Sequence, residues 1–150
     1  MPLSDHFSDN QKADLAKDTF DKLEVGTVFF MPVKDTSPPK PKYFIVIGKN
    51  TDSCCFASIY INSEVNKKVN YTQELRDLHI PLLREMNPFL HHDSYANCSK
   101  IHEKNYSDII SDDMNIIDGS VHADTLRIIL DTLKNAKPIA RALKKKYGLI

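Results

Sequence analysis

Three short apolar runs follow one another in the first half of the chain: VGTVFFMPV (25–33), YFIVIG (43–48) and CCFASIYI (54–61). They are rich in β-branched and aromatic side chains, which suit a pleated surface, and their lengths are those of strands. YFIVIG is nearly all apolar and therefore predicts a buried strand. Pro32 has no N–H to give to a ladder, so the first run must end there or lie at an edge. Between the first two runs, KDTSPPKPK (34–42) reads as a loop, because its three prolines remove donors and fix φ. GKNTD (48–52) marks the turn before the third run.

Further on, residues 62–72 are polar and read as loop. LHIPL (78–82), residues 93–98 of HHDSYANC and NIID (115–118) are candidate strands, and EMNPF between the first two is a turn. Helical patterns lie at both ends. Ser8 and Gln11 fit a capping box that opens a helix over residues 8–23, with Ala13, Ala16, Phe20 and Leu23 on one narrow stripe. Leu126, Ile129, Leu130 and Leu133 repeat at helical spacing after Gly119, and PIARALKKKYG (138–148) follows, with Pro138 in its first turn and Gly148 past its end. The expected architecture is α+β: an N-terminal helix (8–24), a small curled antiparallel barrel (25–118) and C-terminal helices (120–148), all in one domain of 150 residues.

Composition narrows the function classes. The net charge is zero, so no bulk attraction to nucleic acid or to an anionic membrane is built in. Charge is unevenly placed, however. Residues 1–24 hold six acids against three lysines, whereas from Lys134 onward there are six bases and no acid. That basic tail would suit an RNA backbone or an acidic partner, or simply a solvated helix face. Three cysteines, with Cys54 and Cys55 adjacent, do not form a disulfide framework and point to a reducing compartment. MPLSDHFSDN has no basic start and no apolar run, and nothing is long enough to span a bilayer, so a cytoplasmic protein is expected.

The polar stretch HHDSYANCSKI (91–101) draws attention as a possible metal motif. His91, His92, Asp93, Cys98 and His102 are all ligand types. Adjacent residues of a strand point to opposite faces, and no zinc-binding spacing is present, so no metal is expected. With alternation, Asp93, Tyr95, Asn97 and Ser99 share one side, and the small Ser94, Ala96 and Cys98 face a core. A groove lined by Tyr95 and Asn97 could stack a base and read its edge; an ordinary exposed strand face is the alternative.

The order of these pieces resembles one family. A Gly-led strand, a Pro-rich loop, a basic residue entering YFIVIG, a strand ending INS, then DSYANCSKI and DGSVHADTLRIILDTL, are similar over residues 25–135 to the PemK/MazF-like toxins of toxin–antitoxin pairs. The resemblance implies an SH3-like barrel, a homodimer, an antitoxin partner, and metal-independent endoribonuclease action on single-stranded RNA without a cofactor. Members place Arg-Pro before the apolar strand; this chain has Lys42 and Tyr43. Thr-Ser is replaced by Asn62 and Ser63, and an arginine and an acid of the D-S strand by Asn97 and Ser99. Lysine supplies charge without the planar fork of arginine. The catalytic set implied is Lys42 for the phosphate, Asn62, Ser63 and Asn97 as donors, and His79 or His92 as the base, since histidine titrates in the right range. Lys40, Lys42, Tyr95 and Ser99 would contact RNA. The replacements leave a second reading open: a catalytically inactive barrel that binds nucleic acid or a protein partner through the same groove.

Overall fold

A computed structural model describes residues 8–33 and 40–150. Its elements are α1 (Asp9–Lys22), β1 (Thr27–Val33), β2 (Lys40–Asn50), β3 (Cys55–Asn62), α2 (Gln73–Arg76), β4 (His79–Leu82), β5 (Ser94–Asn97), β6 (His102–Asn105), α3 (Asp108–Ser111), β7 (Asn115–Ser120), α4 (Ala123–Asn135) and α5 (Arg141–Lys146). Seven strands pair antiparallel in the order β4-β5-β3-β2-β1-β7, with β6 also on β3. The α+β class is as expected. The closed barrel expected over 25–118 is not: among the described residues the path of pairing does not return on itself.

The apolar runs explain the architecture. Both faces of the central strands are covered, by two separate cores. Ile45 and Ile47 of β2 join Val28, Ala57, Ile59, Ile129 and Leu133 in one core, under α4. Phe44 and Val46, their neighbours in sequence, join Phe20, Phe29 and Phe56 in the other, under α1. Period-two alternation thus sends successive apolar residues to opposite layers, and the all-apolar run YFIVIG is what a strand buried on both sides requires. In the second core Phe29 and Phe44 stack with centroids 4.8 Å apart, and Phe56 meets Phe29 edge-on at 6.0 Å.

Several boundaries moved, each for a visible reason. The segment 34–42 was expected to be loop throughout; residues 34–39 lie outside the described residues, but β2 begins at Lys40. Pro41 is tolerated there because it sits opposite Pro32 and outside the β2–β3 ladder, which begins at Phe44. β2 also continues through Gly48 to Asn50, so the turn is tighter than GKNTD implied. Gly119 lies inside β7 at φ 112°, so the strand runs past NIID to Ser120. β6 carries the sequence HEKN, which has no apolar alternation to predict a strand, and α2 and α3 are single turns too short to show a helical period. The capping box of α1 forms as expected, but Ala13 is exposed and the buried stripe is Ala16, Phe20 and Leu23. Lys49 donates to the carbonyls of Phe20 and Asp21, closing the C-terminal end of α1. The last helix is only six residues long; Pro138 and Ile139 precede it in a turn.

The C-terminal end is fastened to the sheet. Lys146 and the Tyr147 hydroxyl both donate to Glu103 of β6, at 2.8 and 2.7 Å, and Asn50 donates to the Lys146 carbonyl. Gly48 permits this contact: a Cβ there would lie 2.6 Å from the Tyr147 Cβ and 3.0 Å from its carbonyl oxygen. Neither atom is the tip of a flexible side chain, so Gly48→Ala is expected to cost about 1–3 kcal/mol through overpacking. Urea unfolding of the two proteins checks this; equal midpoints would contradict it.

Candidate functional site

The edge of the sheet where β2, β3 and β5 end carries an open cleft of about 570 Å³. Strand register builds its first wall. Phe44 lies opposite Tyr60, so two residues further on Lys42 comes opposite Asn62 on the same face. The side chains meet: Lys42 Nζ donates to Asn62 Oδ1 at 3.1 Å and sits 4.8 Å from the Tyr60 ring centre. Asn62 in turn pairs with Tyr95 of β5, and His79 of β4 pairs with Asn97. Ser63 follows Asn62 and is exposed in the lining.

The amides are oriented by their internal partners. Asn62 offers its oxygen to Lys42. Asn97 offers its oxygen to the backbone N–H and the hydroxyl of Ser99. In both residues the acceptor atom is committed, and the Nδ2 donors have no partner among the described residues. The cleft is therefore rich in unspent donors around one ammonium, which is the complement of an anion such as a phosphate. Glu64 is the one acid in the lining among the described residues, and it is exposed.

The histidines fall into two groups. His91 and His92 lie on the turn before β5 and are exposed in the lining. That turn is fixed on both sides: Asp93 accepts from the Arg84 N–H at 2.8 Å, and the buried Asn87 accepts from the His122 N–H at the start of α4. His92 Nδ1 lies 3.0 Å from the Asp93 carbonyl, which can only accept, so in the neutral ring Nδ1 carries the proton and Nε2 the lone pair. Ser94 donates to the His92 carbonyl. His79 differs. It is 7 % exposed, and its Nε2 bonds to Asn70 Oδ1 at 3.0 Å. Asn70 Nδ2 donates to the Asn66 carbonyl, so Asn70 must accept from His79, and Nε2 carries the proton. Among the described residues, His79 Nδ1 is buried without a partner.

Burial pushes the His79 pKa below the ordinary 6.5. Its folded form resists a proton that the unfolded chain accepts, so the stability it contributes is present above pH 6.5 and is lost as pH falls toward the lower folded value. His79→Gln is expected to flatten the decline of the urea midpoint over that window; an unchanged slope would contradict this.

Lys42, Asn62, Ser63, Asn97, His79 and His92 all line the one cleft. Tyr95 and Ser99 do not, although Ser99 holds Asn97 and Tyr95 shares the face of Asn62. Lys40 begins β2, but its side chain lies outside the described residues. Tyr43, Tyr60 and Asn70 line the cleft unforeseen; as ordinary residues of a strand or loop they give no local signal. The described residues contain no group of three or more metal-ligating side chains. All three cysteines are free, and burial pushes the Cys98 thiol up to about 12. No described helix is long and apolar enough to cross a membrane.

Against known structures, the fold aligns with a chain of the MazE–MazF complex (form III) from Deinococcus radiodurans, with a TM-score of 0.53 over 74% of this chain and 92% of that one. The fold is MazF-like. Sequence identity in that alignment is 10%, so the likeness concerns the fold alone. No family model matches the chain, and no curated protein matches it in sequence.

Proposed function

We propose that the protein is a MazF-like toxin of a toxin–antitoxin pair that cleaves single-stranded RNA without a metal ion, using the cleft at the end of β2, β3 and β5. The observation that carries this reading is the convergence of one ammonium, three uncommitted donor side chains and one oriented imidazole in a single open cleft. The MazF-like fold supports it at the level of architecture. The homodimer and the antitoxin partner belong to the same reading, as does a cytoplasmic location.

In the proposed reaction His92 Nε2 takes the 2′-hydroxyl proton, the 2′-oxygen attacks phosphorus, and the bond to the 5′-oxygen breaks. A 2′,3′-cyclic phosphate forms, and the leaving oxygen takes a proton from water, which the open cleft admits. Lys42 neutralises charge gathering on the phosphate, and Ser63 and the amides of Asn62 and Asn97 donate to its oxygens. His79 is the poorer base, since burial holds it neutral and Asn70 occupies its Nε2. The test is incubation with mixed single-stranded RNA in EDTA at high protein excess. Cleavage by the natural protein and loss of it in His92→Ala is expected; intact RNA removes the enzyme reading.

A second reading rests on Lys42 itself. It lacks the two-pronged guanidinium of arginine, and one of its protons is already spent on Asn62. A catalytically silent module that binds RNA or a protein segment in the same cleft would need no more than this. RNA binding without cleavage selects it.

A further inference from the structure

The side chain next to Lys42 has no role in the reaction just described, yet it is placed in the same cleft. Tyr43 is directly opposite Phe30 in the β1–β2 ladder, with ring centres 4.9 Å apart, and Phe89 approaches from the turn at 6.1 Å. It packs against the α4-side core and remains partly exposed where it lines the cleft. Lys42 and Tyr43 leave opposite faces of β2, but both line the cleft where the strand begins, so a chain whose phosphate sits at Lys42 can cross the strand end and bring its neighbouring base to the ring. Two aromatic neighbours already hold that ring, so little side-chain entropy remains to be lost when something stacks on it.

We propose that Tyr43 is the base-stacking platform of the cleft: it takes a nucleobase of single-stranded RNA while the adjoining phosphate is held at Lys42. The proposal rests on the RNA reading and adds to it the residue that holds a base. It assigns the two neighbours different work. Lys42 contributes the salt-dependent, base-independent part of binding, and Tyr43 the part that needs a π-face.

The experiment measures binding of a labelled single-stranded oligoribonucleotide by fluorescence anisotropy, in EDTA and with the 2′-hydroxyls methylated to prevent cleavage. Four proteins are compared: the natural chain, Tyr43→Phe, Tyr43→Leu and Lys42→Ala. Tyr43→Leu keeps apolar bulk against Phe30 and Phe89, and a melting temperature close to that of the natural chain shows that it folds. Loss of a stacking contact is worth roughly 5- to 160-fold in affinity. Tyr43→Leu is expected to bind about tenfold more weakly with an unchanged salt slope, and Tyr43→Phe to bind like the natural protein. A scan with single abasic sites then locates the base: one position costs affinity in the natural chain and none in Tyr43→Leu. Folded Tyr43→Leu that binds as tightly as the natural chain, or loses affinity at every abasic position equally with it, overturns the assignment while leaving the RNA reading intact. A natural chain that binds no single-stranded RNA overturns both.

Discussion

Lys42→Ala is expected to lower the rate of RNA cleavage by about 10²–10³-fold, the usual effect of removing one preorganised group from a developing anion. Lys42 is the only lysine or arginine in the cleft lining among the described residues. Its position is fixed by the Asn62 amide and the Tyr60 ring, so the ammonium does not have to be gathered during the reaction. Its removal should also make RNA binding less salt-dependent, by about 0.7 in the slope of log K against log salt for a single strand. The substitution touches no core residue, so the melting temperature should stay within a degree or two. Equal cleavage rates for the two proteins would place the reaction elsewhere.

Phe44→Ala is expected to be the most costly substitution for folding, at about 3–5 kcal/mol. Phe44 is 1 % exposed, stacks on Phe29 with the ring planes 3° apart, and meets Tyr60 edge-on at 4.7 Å. Truncation removes the middle of the aromatic layer between α1 and the sheet, and the opposite layer cannot move in to fill it. In a domain of this size the loss corresponds to a fall of about 10 °C in melting temperature. Because Tyr60 lies under Lys42, activity should fall further than stability alone accounts for. A change of only a degree or two would contradict the two-core description.

The strands that were legible in the sequence are those whose residues are buried. YFIVIG and CCFASIYI declare themselves because Tyr43 to Ile47, and Cys55 to Ile61 apart from Ser58, meet one core or the other. HEKN does not, because β6 alternates between exposed and half-buried positions and has no apolar face to show. Lys40–Lys42 was hidden by its prolines; only the opposing Pro32, at the end of the first run, makes a strand possible there. The closed barrel was overdrawn because local pattern gives strands but not the pairing between first and last. For the site, Lys42, Asn62, Ser63 and Asn97 came from order along the chain, and register brings them to one cleft. Asn70 and Tyr43 were invisible because their significance comes from partners: His79 for one, Phe30 and Phe89 for the other.

The most direct measurement of the account is the chemistry of the cut ends. Single-stranded RNA is incubated with the purified protein in excess EDTA, and the fragments are analysed by mass spectrometry. The account predicts 2′,3′-cyclic phosphate on the upstream fragments and a free hydroxyl on the downstream ones, with no fragments from Lys42→Ala over the same time. Uncut RNA, or cleavage that appears only when a divalent metal is restored, would contradict it.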